Sequence, residues 1–80
     1  MLKLEIKFFK DEDKIAYRQS IISSVKFYGL ELDRENNSSL IFKIVNAKFS
    51  SYFIFSKALK FLADFKWFNS KVEYVTIKNV

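Results

Sequence analysis

Two groups of carboxylates are the most chemically capable side chains in this sequence. Glu31, Asp33 and Glu35 are two residues apart, so on a strand they would line one side, and such a row can hold Mg²⁺. The run Asp11–Asp13 could also bind a divalent ion, but consecutive residues at a helix start diverge. We interpret Asp11 as a helix cap whose two neighbours offset the helix dipole. The alternating row is interpreted as charges that protect an edge strand from aggregation.

The residue types that the chain lacks exclude several chemistries. With no cysteine and no histidine, it has no disulfides or thiolate metal sites, and it lacks the commonest general base and metal ligand. One glycine is too few for a glycine-rich phosphate loop, and no serine has a base and an orienting partner in a known motif. We therefore predict that the protein is not an enzyme and has no catalytic residues, metal site or cofactor.

Length and composition indicate one small domain, residues 1–80, with an unusually aromatic core. Half of the 80 residues are hydrophobic, and they include ten Phe, four Tyr and one Trp. Lysines interrupt every apolar run, and the N-terminal stretch lacks the continuous apolar block of a signal peptide. These features predict a cytoplasmic protein without a membrane partner. The net charge of +5 is spread along the whole chain and favours anionic partners only if it clusters.

The first half of the chain reads as a strand followed by a helix. In "LKLEIKF" apolar residues alternate with charged ones, which is typical of a strand with one buried face. From Glu12 to Tyr28, apolar residues recur at spacings of four, four and three, which predicts an amphipathic helix. Gly29 follows directly, where a helix commonly ends in a left-handed residue.

The second half predicts two strands, a long helix and a last strand. "LELDR" alternates, "ENNSS" is a turn, and a strand follows from Leu40 to Val45. A helix is predicted from about Ala47 to about Phe68, and "KVEYVTIK" is rich in β-branched residues. The resulting βαββαβ order predicts an α+β fold, the ferredoxin-like sandwich. We expect a four-stranded antiparallel sheet in the order 4-1-3-2, with both helices on one face. The expected core is Leu4, Ile6, Phe8, Phe42, Ile44, Ile54, Phe61, Leu62 and Phe65.

The predicted second helix carries more aromatic surface than one face can bury. On a helical wheel, Phe49, Phe53 and Trp67 project away from the core side, with Lys60 between them and Tyr52 on the flank. Exposed apolar patches mark interfaces, and aromatic residues dominate binding hot spots. These five residues are therefore the predicted partner-binding site. Two alternatives are that Trp67 folds back into the core, or that a third element covers this face.

The leading functional hypothesis is a protein-binding module that acts by covering a partner's surface. An inhibitor or accessory factor that also self-associates fits a small chain without catalytic signatures. Frequent Lys, Asn, Ile and Phe, with no proline, are typical of an AT-rich genome such as that of a low-GC bacterium or its phage. An origin in a mobile element is therefore part of this hypothesis.

The alternative hypothesis is nucleic-acid binding through the open face of the sheet. Lys3, Lys7, Lys43 and Lys78 are expected on that face, where they could contact phosphates. The central strands lack the stacking aromatics of RNA-recognition sandwiches, so base-specific binding there is not expected. The small residues of the first helix suggest a second surface, and Phe27 at its end could border the aromatics of the second helix.

Overall fold

The computed structural model describes residues 1–45 and 49–79, and within these ranges the elements follow the predicted order, with one added helix. The elements are β1 (Leu2–Phe8), α1 (Asp11–Lys26), β2 (Leu30–Glu35), β3 (Ser39–Ile44), α2 (Ser51–Ala63), α3 (Lys66–Lys71) and β4 (Val72–Asn79). The predicted start of the second helix near Ala47 lies outside the described residues.

The four strands form one antiparallel sheet in the order β2-β3-β1-β4. This is the predicted order 4-1-3-2 counted from the other edge, and the helices pack on one side of the sheet. The predicted ferredoxin-like α+β sandwich is therefore confirmed. β1 and β3 lie in the middle, which leaves one face of the sheet without a helical layer.

Alternation along β1 determines which face of the sheet is buried. Leu4, Ile6 and Phe8 are fully buried on the helical side. In the β1–β3 register, Leu4 lies opposite Phe42 and Ile6 opposite Leu40, and both partners are also fully buried. Because directly opposed residues of antiparallel strands share a face, the two central strands contribute one continuous apolar surface. The helices cover that surface.

α1 begins and ends close to the predicted bounds, but its cap differs. Asp11 is the first helical residue rather than the cap, and Lys10 occupies the cap position without a side-chain hydrogen bond. The acidic first turn still offsets the helix dipole. Ile21 and Val25 of the predicted stripe are buried. Gly29 has a φ of 80° and is the only residue of the described ranges with a positive φ. This confirms the left-handed residue predicted after the first helix.

The predicted second helix is two helices, because the chain leaves the helical path after α2. The amide groups of Asp64 and Phe65 donate to the carbonyls of Phe61 and Leu62, three residues back, so the last turn tightens. Phe65 is then extended, with φ −76° and ψ 129°, before α3 starts. The prediction of one helix reaching Phe68 is wrong. After the break, Phe68 is buried in the core and the ring of Trp67 stacks on Tyr17 of α1.

The predicted core is largely confirmed, with one error. Leu4, Ile6, Phe8, Phe42, Ile54 and Leu62 are buried, and Ile44 and Phe65 are half-buried against them. Phe61 is 41% exposed, so its placement in the core is wrong. Its ring packs instead against Tyr28 and Phe65, with centroids 6.0 and 5.6 Å away. Other buried apolar residues are Ile21, Val25, Leu30, Leu40, Phe55, Ala58, Phe68 and Val72.

A β-bulge separates the carboxylates that were expected in one row. The β2–β3 register shifts between Leu32 and Arg34, so residues on either side of the shift no longer follow simple alternation. Asp33 consequently contacts Lys3 on the open face of the sheet, at 2.6 Å. Glu35 points to the helical side. No group of three potential metal-ligating side chains forms within residues 1–45 and 49–79.

Glu35 instead joins β2 to α1. Its carboxylate accepts hydrogen bonds from Lys14 Nζ at 2.8 Å and from Arg18 Nη2 at 2.7 Å. Hydrogen bonds from these two cations, with the larger contribution from Arg18, lower the pKa of Glu35 from 4.5 to about 2. The ammonium of Lys14, a buried residue, also donates to the Asn36 carbonyl at 3.1 Å. The carboxylate therefore has a structural role.

Candidate functional site

Exposed aromatic rings concentrate where the end of α1 meets α2. Phe27, immediately after α1, is 85% exposed, and Phe49, Tyr52 and Phe53 at the start of α2 are also exposed. Phe61, two residues before the end of α2, completes this surface. Scattered apolar residues on a surface need no explanation, but a contiguous group of large rings is a feature of binding surfaces.

The first depression in this surface is a groove of about 380 Å³, called here the aromatic groove. It is lined by Phe27, Tyr28, Gly29, Phe49, Phe53, Ile54 and Lys57. Its walls come from the turn after α1 and from the first half of α2. Gly29 contributes no side chain, so the groove is open at the turn that its positive φ creates.

A second depression of about 300 Å³, the serine recess, adjoins the aromatic groove. It is lined by Ser23, Ser24, Phe27, Tyr28 and Phe61. Phe27 and Tyr28 line both depressions, so the exposed ring of Phe27 stands as a ridge between them. The predicted meeting of Phe27 with the aromatics of the second helix is confirmed as geometry.

The rings that line the two depressions support one another. Phe49 and Phe53 have ring centroids 5.1 Å apart, and Phe27 packs edge-on against Tyr28 at 5.2 Å. Tyr28 in turn lies 6.0 Å from Phe61. Such spacings lie in the favourable range for aromatic pairs. The surface is therefore already packed, which reduces the side-chain entropy that a binding event would remove.

The start of α2 positions the aromatic groove. Ser50 is the cap of α2, and its hydroxyl oxygen accepts a hydrogen bond from the amide of Phe53 at 3.3 Å. This contact fixes the first turn, which carries the Phe53 ring, and Phe49 directly precedes the cap. One turn later, the ammonium of Lys57 lies 5.4 Å from the centre of the Phe53 ring. The groove therefore combines an apolar lining with one cation held over an aromatic face.

The predicted partner-binding residues do not all meet. Phe49 and Phe53 come together in the aromatic groove, while Tyr52 and Lys60 are exposed but line neither depression. The placement of Trp67 on this face is wrong. Its ring stacks on Tyr17 with centroids 4.0 Å apart and planes 9° from parallel. The break after α2 reorients the chain, so the alternative that Trp67 folds back toward the core is the correct one.

Eight lining residues were not among the five predicted site residues: Ser23, Ser24, Phe27, Tyr28, Gly29, Ile54, Lys57 and Phe61. Tyr28 had been assigned to the buried stripe of the first helix and Phe61 to the core. Phe27 was expected to border the aromatics of the second helix, and Lys57 had no predicted role. The available signal was the sequence "KFYG", which places two aromatic residues directly before the glycine that ends a helix. Phe27 keeps helical backbone angles, with φ −58° and ψ −30°, although it lies just beyond α1.

The open face of the sheet has a different character, because its lysines are paired. Lys3 and Lys43 contact Asp33 at 2.6 and 3.9 Å, and Lys7 contacts Glu73 at 3.3 Å. Hydrogen bonding by Lys3 lowers the pKa of Asp33. The four lysines predicted for this face do lie on it, since Lys3 is directly opposite both Lys43 and Lys78.

The centre of the open sheet face is a buried carboxylate. Glu5 on β1 is 4% exposed, and its Oε1 lies 2.8 Å from Lys78 Nζ without a hydrogen bond to any of the described residues. Glu5 in turn raises the pKa of Lys78. Every lysine of this face therefore has a carboxylate within ion-pair distance.

Within residues 1–45 and 49–79, no helix is both long and apolar enough to cross a membrane. No family model, curated protein or solved structure matches the chain.

Proposed function

We propose that this chain is a non-enzymatic protein-binding module that acts by covering a partner's surface with the face formed by the end of α1 and by α2. The observation that carries the proposal is the ridge and its two depressions: Phe27, 85% exposed, stands between the aromatic groove and the serine recess. Such a surface accepts apolar side chains of a partner on both sides of one ring. An inhibitor or accessory factor works in this way.

The energetics favour a small number of anchors. Burying one large apolar side chain contributes about 1.5–3 kcal/mol, and a few aromatic residues carry most of the energy of a typical interface. Phe27, Phe49 and Phe53 are exposed in the free chain and held by neighbouring rings. They therefore gain burial on binding and lose little conformational freedom.

The polar groups of this face support binding rather than catalysis. Ser24 donates its hydroxyl hydrogen to the Ser20 carbonyl at 2.8 Å, which engages that hydroxyl within its own helix. Lys57 lies over a ring, without a general base beside it among the lining residues.

The proposal includes a cytoplasmic location, with which the absence of cysteine is compatible. An origin in a phage or another mobile element belongs to the same proposal.

The test compares a variant of the ridge with a matched control. Phe27→Ser/Phe53→Ser removes two exposed rings from the proposed site. Phe9→Ser/Ile15→Ser removes two exposed apolar residues near the start of α1. Both variants and the parent chain are used to capture proteins from host extract, and circular dichroism checks the fold. Proteins that bind the parent and the control, but not the ridge variant, are the expected result.

Equal capture by all three chains would contradict the proposal, as would loss from the control alone. An unfolded ridge variant would show that its rings belong to the core and would contradict the proposed surface as well. Self-association is measured separately by sedimentation of the parent chain, the ridge variant and the control. Dimers that depend on Phe27 and Phe53 would support the predicted self-association, and a monomer at all concentrations would contradict it.

A further inference from the structure

The positive charge of this protein is distributed unequally between its two faces. On the open sheet face, all four lysines lie within 4 Å of a carboxylate. Around the aromatic groove the opposite holds for the part of the chain that the structure describes. Lys26, Lys57 and Lys60 have no carboxylate within ion-pair distance there.

The elements that form the groove explain this difference. α2 contains two lysines and no acidic residue, and α1 contains no acidic residue after its first turn. Lys57 lines the groove itself, Lys26 directly precedes the Phe27 ridge, and Lys60 is next to Phe61 in the sequence. The binding face therefore combines apolar depressions with cations that have no intramolecular partner among the described residues.

We infer that the partner segment for the aromatic groove is acidic and amphipathic, with apolar side chains that enter the two depressions and carboxylates that pair with Lys57 and its neighbours. This inference rests on the proposed function. A neutral partner would remove water from the Lys57 ammonium without supplying another partner for its charge, which is unfavourable. A carboxylate compensates for the lost hydration. Complementary charge also speeds the encounter and excludes basic partners.

Charge also distinguishes an acidic partner segment from the other candidate occupants of this face. A second copy paired through the same face would supply apolar rings but lysines instead of carboxylates, so an acidic segment complements the face better than self-association does. Nucleic acid supplies phosphates for the lysines but is a poor match for depressions lined mainly by apolar side chains. An anionic lipid surface offers both charge and an apolar phase, so it enters the test as the competing outcome.

The experiment is a selection from a random peptide library displayed on phage, with the parent chain as bait and the ridge variant Phe27→Ser/Phe53→Ser as counter-selection. The expected result is enrichment of peptides that carry Asp or Glu beside large apolar residues. Enriched peptides that need the ridge but are neutral or basic would overturn the acidic partner and leave the proposed function intact. No ridge-dependent enrichment would overturn the inference. The capture experiment tests the proposed function independently.

A charge-reversal pair then tests the lysines. For a synthetic acidic peptide from the selection, Lys57→Glu/Lys60→Glu is expected to weaken binding by about tenfold or more at low salt, and high salt should reduce the difference. Lys10→Glu/Lys66→Glu makes the same charge change at exposed sites outside the groove, and its effect should be much smaller. Equal losses in both variants would overturn the inference.

Vesicle binding tests the competing outcome, an anionic lipid surface. The parent chain is mixed with phosphatidylcholine vesicles with and without phosphatidylserine and then sedimented. Failure to bind either vesicle is the expected result. Binding to phosphatidylserine vesicles that is lost in both the ridge variant and Lys57→Glu/Lys60→Glu would overturn the peptide inference in favour of a membrane surface.

Discussion

The helical face and the open sheet face of this protein use their lysines in opposite ways. On the sheet, Lys3, Lys7, Lys43 and Lys78 are paired across strands, and Glu5 is buried among them. On the helical face, aromatic rings and lysines are exposed together beside two depressions. The comparison indicates that the four lysines of the sheet already have carboxylate partners. The apolar groups and cations of the helical face gain partners only in a complex.

The largest effect should separate the core side of α2 from its outer side. Phe55 is fully buried, while Phe53, two residues earlier on the same helix, is 45% exposed. Phe55→Ala is expected to lower the free energy of unfolding by about 3–5 kcal/mol, because it leaves a cavity. Phe53→Ala is expected to change it by about 1 kcal/mol or less. Urea denaturation followed by circular dichroism measures both, and similar losses would mean that the two faces of α2 are wrongly assigned.

An intermediate effect is expected at Trp67, which the structure moves from the binding face to a contact with α1. Trp67→Ser removes the stack on Tyr17, so the free energy of unfolding should fall by about 2–3 kcal/mol. Partner capture per folded molecule should not change. The control is Tyr52→Ser, an exposed position on α2, which should leave stability nearly unaltered. If Trp67→Ser left stability unchanged and abolished capture, Trp67 would belong to the binding face.

Trp67 also shows where sequence reasoning failed. Alternation in β1 correctly predicted its buried side chains, because a period of two leaves little choice of register, and the βαββαβ order correctly predicted that β1 and β3 are central. The helical wheel failed after Ala63. Apolar residues continue at helical spacing beyond Asp64, but the backbone leaves the helix there. The observed placement of Trp67 depends on this break and on contact with Tyr17, which is distant in sequence.

Only part of the candidate site could be predicted from the spacing of residues in the sequence. Phe49 and Phe53 could be assigned to the outer side from their spacing, and both line the aromatic groove. Phe27 directly follows α1 with helical backbone angles, but the sequence predicted only that it could border this surface. The bulge beside Asp33 is likewise invisible in the pattern of β2, because one extra residue does not interrupt its mixture of charged and apolar residues.

A smaller effect is expected at the clamp between the helical layer and the sheet. Glu35→Gln leaves Lys14 buried without its counter-ion, so the free energy of unfolding should fall by about 1–2 kcal/mol at neutral pH. The pKa of Glu35 is lower in the folded chain than its ordinary 4.5, at about 2. Its stabilisation is therefore complete above about pH 4.5 and is lost as the pH falls toward 2.

The parent chain and Glu35→Gln should accordingly converge in stability on acidification, as measured by urea denaturation at several pH values. Glu31→Gln is the matched control, because Glu31 is exposed on the same strand and faces Lys43 across the sheet. Its stability should differ little from the parent at any pH. If the difference between the parent and Glu35→Gln persisted at pH 2, the carboxylate would not be the group responsible.

The smallest effect concerns nucleic acid on the open sheet face. Among the ion-paired groups of this face, four lysines are opposed by Asp33, Glu73 and Glu5, so the excess positive charge is small. We expect no mobility shift of DNA or RNA at physiological salt and at most a weak one at low salt. Lys3→Glu/Lys43→Glu should abolish any weak shift while leaving the fold intact. Strong binding at physiological salt would reverse the comparison and make the sheet face the functional one.

Asp33→Asn sharpens the same comparison. It removes the carboxylate that Lys3 and Lys43 share, so two cations become available for phosphates. Each phosphate contact releases counterions, so any low-salt affinity should rise, by about threefold or more, and become more salt-dependent. Glu31→Gln raises the net charge equally without removing an ion pair of this face, and it should have a smaller effect. If both variants bound alike, total charge rather than ion pairing would determine the behaviour of the sheet face.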